Sequence, residues 1–299
     1  MDYFLELFIG GLTRGSIYAL IALGYTMVYG IIELINFAHG EVYMIGAFTA
    51  LIVSSVLAFY GLSGVSVLVL AFVVAVFYAA AYGFTVERIA YRPLRRAPRL
   101  SPLISAIGMS IFLQNYVMLA QTSEFLPFPN LLPELEFLKS QSFIGSSEFL
   151  IVVTTAVVMV LLTFLIKYTK MGKAMRATAQ DREMAMLVGV NVNRTIANTF
   201  IIGSALAAVG GVLIASHVGR INFYIGFIAG IKAFTAAVLG GIGSIPGAVL
   251  GGLILGWTES FATGYISSDY EDVFAFALLV LILIVRPAGL LGKSATQKV

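Results

Sequence analysis

Long apolar runs without a charged residue constrain this chain more than any other feature of its sequence. The longest run extends from Val42 to Val86, and others of at least 18 residues lie at 15–32, 100–123, 149–166, 195–219 and 233–258. A charge at the centre of a bilayer costs at least ~2.5 kcal/mol, so such runs are typical of membrane-spanning helices. The Val42–Val86 run is long enough for two helices joined by a turn at 60–64.

The composition points to the same class of protein. Hydrophobic residues make up 60% of the chain and charged residues 11%, against roughly 45–50% and about 25% in soluble domains. We therefore expect an all-α, polytopic transmembrane helical bundle with about eight to nine crossings. The bundle is expected to form one domain over 1–299. The glycine-rich stretch 240–247 predicts a reversal of the chain, so 220–258 contains either two full crossings or a broken, re-entrant segment.

The charges of the connecting loops predict the orientation. Segment 87–99 carries five Arg against one Glu, and segment 167–194 carries six basic residues against two acids. By contrast, 124–148 has four Glu against one Lys, and 259–272 has four acids and no base. Positive loops remain in the cytoplasm. We therefore expect loop 167–194 and the C-terminus to be cytoplasmic, and loop 124–148 and the N-terminus to be periplasmic.

Several classes of function require residues or motifs that this chain does not contain. The chain has no Cys and two His, it has no nucleotide-binding loop, and it has none of the motifs of intramembrane proteases. We predict no enzymatic activity, no metal, no cofactor in this chain and no nucleic-acid partner. Ion-coupled carriers usually keep an acid inside the membrane. The long charge-free runs contain none, which argues against a self-contained carrier.

A polar stretch, Glu33–Glu41, interrupts the first two spans. Its position is compatible with an interfacial turn or with a helix break inside the membrane, where Asn36 and His39 would line a wet cavity. Small residues recur further along the chain at a spacing of four, and we expect them to pack helices closely. These helix-packing residues are Gly243, Gly247 and Gly251.

The second basic loop has the composition of a helix. Segment 174–189 is rich in helix formers and has no Pro. A single helix here would place Met184, Leu187 and Val188 on one apolar face. Such a helix is expected either to lie on lipid or to dock into a groove of a partner protein.

Five motifs distributed along the chain resemble the LivH-type permease family of bacterial branched-chain amino acid ABC importers. They are Tyr18–Gly30 (YALIALGYTMVYG), Ile35–Glu41 (INFAHGE), Ser105–Asn115 (SAIGMSIFLQN), Lys232–Gly247 (KAFTAAVLGGIGSIPG) and Arg286–Gly292 (RPAGLLG). Urea and amide permeases carry similar motifs, so the substrate class is less firmly indicated than the family. A self-contained secondary amino acid carrier and a structural membrane anchor are competing interpretations of the same hydrophobic pattern.

The resemblance implies a set of partners in the bacterial inner membrane. These are a second homologous permease, two cytoplasmic ATPase subunits that bind Mg-ATP, a periplasmic amino acid binding protein, and membrane lipid. It also implies that 171–193 is the ATPase-docking loop, with the candidate residues Gly172, Arg176, Ala179, Asp181, Glu183, Ala185, Leu187 and Gly189. The candidate residues of the translocation path are Asn36, His39, Gln114 and Asn115.

Overall fold

The computed structural model describes residues 2–95, 97–98, 100–138 and 144–292. Within these residues the chain forms eleven α-helices. They are α1 (Asp2–Ile32), α2 (His39–Phe59), α3 (Val65–Val86), α4 (Leu100–Ala120), α5 (Ser146–Tyr168), α6 (Lys170–Gln180), α7 (Arg182–Leu187), α8 (Val192–Val218), α9 (Ile225–Gly240), α10 (Ile245–Tyr265) and α11 (Glu271–Val285).

Short elements complete the fold. A π-turn, Glu87–Tyr91, and a 3-10 turn, Arg92–Leu94, continue α3. Further 3-10 turns are Glu136–Leu138 and Ser268–Tyr270. The strands β1 (Leu126–Pro127) and β2 (Arg220–Ile221) pair antiparallel, with Leu126 opposite Ile221. This pair joins the loop after α4 to the loop after α8.

Seven of the described helices are long and apolar enough to span a membrane, namely α1, α2, α3 with its continuation, α4, α5, α8 and α10. The helix α9 is apolar but has only 16 residues. The predicted all-α polytopic bundle is therefore confirmed. The chain also turns between Phe59 and Val65, where the sequence predicts a turn.

The helices form a buried centre and a peripheral layer. In an 18-residue apolar stretch of α1, 83% of the residues are buried. The corresponding share is 78% in α8 and 17% in α5. The helices α3 and α4 are also mostly exposed. In a membrane, exposed apolar side chains contact lipid or a partner helix without cost. Side chains that carry chemistry are therefore to be sought around α1 and α8.

Small residues let the central helices approach closely. A Cβ on Gly252 of α10 would lie 2.6 Å from the backbone nitrogen of Ala19 of α1. Gly247 and Gly251 instead face α9, near Gly240 and Ala236. Gly243 precedes α10 and lies in the turn after α9, with φ 92°. The two helical glycines thus lie at a helix contact, while Gly243 serves the reversal of the chain.

The stretch between α1 and α2 folds back into the bundle. The helix α1 ends at Ile32, and Glu33 adopts a positive φ of 54°. The ring of His39, at the start of α2, packs beside Gly24, about 12 Å before the end of α1 at 1.5 Å per residue. Asn36 and His39 are 3% and 1% exposed. The segment between α1 and α2 is therefore buried in the bundle at Asn36 and His39.

The prediction of a single helix over 174–189 is wrong, because the chain forms α6 and α7 with a break at Asp181. Asp181 has an extended backbone, with φ −158° and ψ 117°. Its carboxylate accepts hydrogen bonds from the backbone N–H groups of Glu183 at 2.9 Å and Met184 at 3.0 Å. Aspartate at the N-cap satisfies donors that a continuous helix would bond internally, so it starts a new helix here.

The expectation that the spans contain no acid is also wrong. Glu41 lies in α2 and Glu259 in α10, both completely buried, and Lys232 in α9 is 6% exposed. The helices continue past these charges because the charges have partners inside the protein. When spans are predicted from the gaps between charged residues, a span that contains a paired charge is therefore predicted to be shorter than the helix that forms.

Candidate functional site

Strongly exposed apolar side chains lie on α7 and at the residue that follows it. Met184, Leu187 and Val188 are 61%, 81% and 78% exposed. Their i, i+3, i+4 spacing places them on one helix face. Ala185 is 2% exposed and packs towards the bundle. We refer to Met184, Leu187 and Val188 as the α7 surface, and such an exposed apolar patch is typical of a site that contacts another protein or a membrane.

Two arginines of the loop bond to the ends of membrane helices. The Arg182 side chain donates to the carbonyl oxygens of Ile32 at 2.7 Å and Ile31 at 3.3 Å, at the C-terminus of α1. Arg176 donates to the carbonyls of Ile166 and Lys167, at the C-terminus of α5. A guanidinium satisfies carbonyls that have no partner in the helix and complements the negative end of the helix dipole. The α6–α7 unit is therefore tied to α1 and to α5.

The junction of α6 and α7 lines a cavity of 350 Å³. Ala179, Asp181 and Glu183 contribute to it, together with Glu33 and Arg95. Acidic and basic side chains are thus both present at this cavity. Glu33, the residue after α1 with a positive φ, also lines the cavity, which therefore lies where the α6–α7 unit meets the polar break.

Arg95 connects two membrane helices beside this cavity. Its side chain bonds to Glu87 in the π-turn after α3 and donates to Oδ1 of Asn193 at 2.7 Å, at the start of α8. Burial lowers the pKa of the Arg95 guanidinium, and the Glu87 carboxylate opposes that shift. The contact fixes the ends of α3 and α8 at the same end of the bundle as α6 and α7.

The remaining two loop candidates shape the backbone. The N–H of Gly172 donates to the Thr169 hydroxyl at 3.0 Å, and a Cβ on Gly172 would collide with the carbonyls of Leu165 and Ile166. Gly189 follows α7 with φ 87°, a conformation that favours glycine. Among the candidate loop residues, Leu187 is therefore a strongly exposed apolar side chain, whereas Gly172 and Gly189 shape the backbone.

Polar side chains follow one another through the break before α2. The Tyr91 hydroxyl lies 3.1 Å from Oδ1 of Asn36, and the His39 ring packs edge-on against Tyr25 at 4.8 Å between centroids. The Ser110 hydroxyl of α4 donates to Glu41 at 3.0 Å. Within the described residues, Nε2 of His39 and Oε2 of Glu41 have no hydrogen-bond partner. The break therefore places polar groups with free bonding capacity in the buried interior of the protein.

The structure separates the four candidates of the translocation path. Asn36 and His39 lie in the break, whereas Gln114 lies on α4, one turn beyond Ser110. The side chain of Asn115 is exposed and donates to the backbone carbonyl of Ile111 in its own helix at 2.8 Å. Asn115 therefore points away from the break.

A second polar group lies farther along α1 from α6 and α7 and centres on Lys232. Its ammonium group contacts Glu259 at 3.1 Å, Glu271 at 2.7 Å and Asp272 at 2.9 Å. Arg14 also pairs with Glu271, at 3.2 Å. We refer to these five residues as the Lys232 cluster. It joins α1, α9, α10 and α11, and the sequence did not predict it because its members lie up to 258 positions apart.

Known proteins resemble this chain over almost its whole length. The family model described as "Branched-chain amino acid transport system / permease component" matches residues 7–283. Two proteins named high-affinity branched-chain amino acid transport system permease protein LivH, from Escherichia coli (strain K12) and Salmonella typhimurium (strain LT2), are 53% and 52% identical. The permease protein BraD of Pseudomonas aeruginosa is 54% identical. Each match covers 99% of this chain and 98% of the relative.

The predicted resemblance is thereby confirmed by a comparison of complete sequences and not only of motifs. The match includes the polar break, the docking loop and the Lys232 cluster, since all three lie within residues 7–283. The chain belongs to the family of permease components of branched-chain amino acid transport systems.

Proposed function

We propose that this chain is the membrane-spanning permease subunit of a binding-protein-dependent ABC importer for leucine, isoleucine and valine. The observation that carries the proposal is the 52–54% identity to LivH and BraD permease proteins over 99% of the chain. The seven candidate spans fit a subunit that provides a route across the inner membrane.

Energy and substrate delivery are assigned to other subunits. The sequence has no nucleotide-binding loop. In the proposal, two cytoplasmic ATPases bind Mg-ATP, a second homologous permease completes the passage, and a periplasmic binding protein delivers the amino acid. This chain then acts as a single transmembrane domain over 1–299, surrounded by lipid, without an enzymatic activity or a cofactor of its own.

The end that carries α6 and α7 is the cytoplasmic end in this proposal. Support comes from the basic residues of 87–99 and 167–194 and from the acidic residues of 124–148. The helix α1 then begins at the periplasmic side and the C-terminus lies in the cytoplasm. The Lys232 cluster consequently lies towards the periplasm.

The α7 surface is proposed to dock into an apolar groove on an ATPase subunit. Burial of Leu187 would stabilise the contact by about 1.5–3 kcal/mol. A helix lying on lipid fits less well because α7 has only six residues and interfacial helices gain affinity from a large apolar face. Arg176 and Asp181 support docking indirectly, since they position α6 and α7.

Docking at this surface gives a route for coupling. When ATP closes the ATPase dimer, α6 and α7 move with it. Arg182 transmits the movement to α1 and Arg176 transmits it to α5, through the hydrogen bonds described above. The bundle changes from inward-open to outward-open, and the amino acid released by the binding protein enters.

The polar break is proposed to lie beside the passage. Asn36 and His39 belong to a segment with irregular backbone, and such backbone is found at membrane depth where it lines a cavity or is buried in protein. Nε2 of His39, which finds no hydrogen-bond partner among the described residues, supports this role. Gln114 is adjacent through the turn that carries Ser110, while the exposed Asn115 is better placed to meet a second permease.

Cross-linking in the purified importer complex tests the docking assignment. The chain has no cysteine, so Val188→Cys introduces a single thiol on the α7 surface. It is expected to cross-link to an ATPase subunit. Ala185→Cys is the matched control, because Ala185 is buried and its thiol should not react. A transport-active complex in which Val188→Cys never cross-links to the ATPase would contradict the assignment.

A second variant tests the energetics of the same contact. Leu187→Asp would place a charge in the proposed groove and should release the ATPases, while the two permeases remain associated.

The observation that most favours a self-contained carrier is the pair of buried acids, Glu41 and Glu259. Uptake of leucine by this chain alone, in liposomes without ATPase subunits, would support a carrier.

A further inference from the structure

A cavity of 290 Å³ lies between α1, α2, α8 and α9, next to the Lys232 cluster. Its position at the end opposite α7 follows from α8, which begins beside α7 and reaches this cavity near its other end, at Ile214. Branched aliphatic side chains form much of its wall. They are Ile17, Ile214, Ile225 and Ile228.

The polar residues of this cavity are gathered around its charged side. Arg14, Tyr18 and Lys232 line it together with Tyr43 and Asn222. Arg14 makes one ion pair, to Glu271 at 3.2 Å, and its side chain is 41% exposed. A guanidinium has five N–H donors, so Arg14 retains donors for a carboxylate. The Tyr43 hydroxyl, on the cavity wall, has no hydrogen-bond partner within the described part of the chain.

Lys232 has a different role from Arg14. Three carboxylates, those of Glu259, Glu271 and Asp272, lie within 3.1 Å of its ammonium group, so its three donors are occupied. With Arg14, the cluster has two cations and three acids when all five groups are charged. Of these five groups, Arg14 and Lys232 line the cavity, and Glu271 lies beside Arg14.

A cluster that served only to hold four helices together would not need a cavity beside it. Here Arg14 and Lys232 border a space with an aliphatic wall, and Arg14 and the Tyr43 hydroxyl retain unused bonding capacity. Small-molecule sites have this construction, with an apolar wall and a few polar groups that fix orientation, and their volumes begin at about 300 Å³.

We infer that this cavity is a holding site for the transported amino acid, an inference that rests on the proposed function. The branched side chain lies among the four isoleucines. The α-carboxylate binds the free donors of Arg14, and the α-ammonium group lies towards Glu271, the ion-pair partner of Arg14. Cavity size restricts the site to small amino acids, and the aliphatic wall gives a preference for leucine, isoleucine and valine over polar ones.

The test uses the complete importer complex in nanodiscs, without binding protein, and measures equilibrium binding of radiolabelled leucine. Wild-type complex should bind leucine saturably. Ile228→Trp would fill the cavity and should weaken binding by about tenfold or more. Ile52→Trp is the matched control, because Ile52 is exposed on α2 and does not line the cavity, and it should bind as wild type does.

Arg14 is tested through ligand preference, which a merely structural role would not alter. Leucinamide carries the same side chain and ammonium group but no carboxylate. Wild type should therefore prefer leucine to leucinamide by about tenfold. Arg14→Gln should remove the preference, and Arg14→Lys should restore part of it.

Three results would overturn the site: absence of saturable leucine binding in wild type, unchanged affinity in an assembled Ile228→Trp complex, or an unchanged leucine preference in Arg14→Gln. ATP-driven leucine uptake by the wild-type complex is measured in parallel with binding protein present. Lack of that uptake would refute the proposed function itself. Uptake with any of the three results refutes the holding site alone.

Discussion

The contact between α9 and α10 can be tested with the smallest side chain that fills it, Gly251→Ala. A Cβ at this position would lie 2.7 Å from the backbone nitrogen of Gly240 and would collide with the carbonyl of Ala236. Both neighbours are backbone atoms of a helix, so neither can rotate away. The added methyl group can therefore be accommodated only if the two helices move apart.

The magnitude follows from two opposing effects. Overpacking of a close contact costs about 1–3 kcal/mol, and the rigid backbone neighbours favour the upper end. Replacement of Gly by Ala in a helix stabilises it by roughly 0.5–1 kcal/mol. The net expectation for Gly251→Ala is a loss of about 2 kcal/mol.

Gly210→Ala provides the matched control. Gly210 is buried in α8, and a Cβ there would make ordinary contacts at 3.5–3.8 Å with the side chains of Ile21, Tyr43 and Leu20. This variant should be neutral or slightly more stable than wild type. The assay is thermal unfolding of the detergent-purified complex at one fixed scan rate, because unfolding of such a complex is governed by kinetics. If Gly251→Ala unfolds at or above the temperature of Gly210→Ala, the close-packing argument is refuted.

Three further predictions concern the orientation, the passage and the coupling. Ser268→Cys should react with an impermeant thiol reagent in intact cells, whereas Ala179→Cys should react only after permeabilisation; labelling of Ala179→Cys in intact cells would reverse the proposed orientation. Asn36→Ala and His39→Ala should each lower uptake while assembly and ATP hydrolysis persist, and uptake at the wild-type rate in both would remove the polar break from the passage. Arg182→Gln should raise the ratio of ATP hydrolysed to leucine imported, since the tie between α7 and α1 is weakened by about 1.5–3 kcal/mol; a wild-type ratio in an assembled complex would mean that coupling takes another route.

The spans could be predicted from the sequence because the bilayer imposes one requirement on every crossing. The turn at 60–64 follows from the length of the run between Val42 and Val86, without knowledge of any contact. The break at Asp181 also had a local signal, an acid with helix formers on either side, which is typical of an N-cap. A rule that gave caps more weight than composition would have divided the loop correctly.

Other features depend on partners that are distant in sequence. Glu259 is buried because Lys232 lies 3.1 Å away and Tyr18 donates to it at 2.6 Å, and no local pattern joins these three positions. The bonds from Arg182 to Ile31 and Ile32 likewise span about 150 residues. A pattern of charges predicts which residues avoid lipid, but the pairing of those charges is decided by tertiary packing.

The helix α1 runs without interruption from the Lys232 cluster to the docking loop. Arg14 and Ile32 are 18 residues apart on it, which corresponds to about 27 Å along the axis. If α1 tilts as a rigid rod about its Ile32 end, a rotation of only about 10° displaces Arg14 sideways by about 5 Å, from this length and simple trigonometry. That displacement exceeds the 3.2 Å separation of Arg14 and Glu271. A small angular change beside the α6–α7 unit is thus enough to part an ion pair about 27 Å away along α1, and spin labels near Arg14 and on α11 would register it as a change in distance.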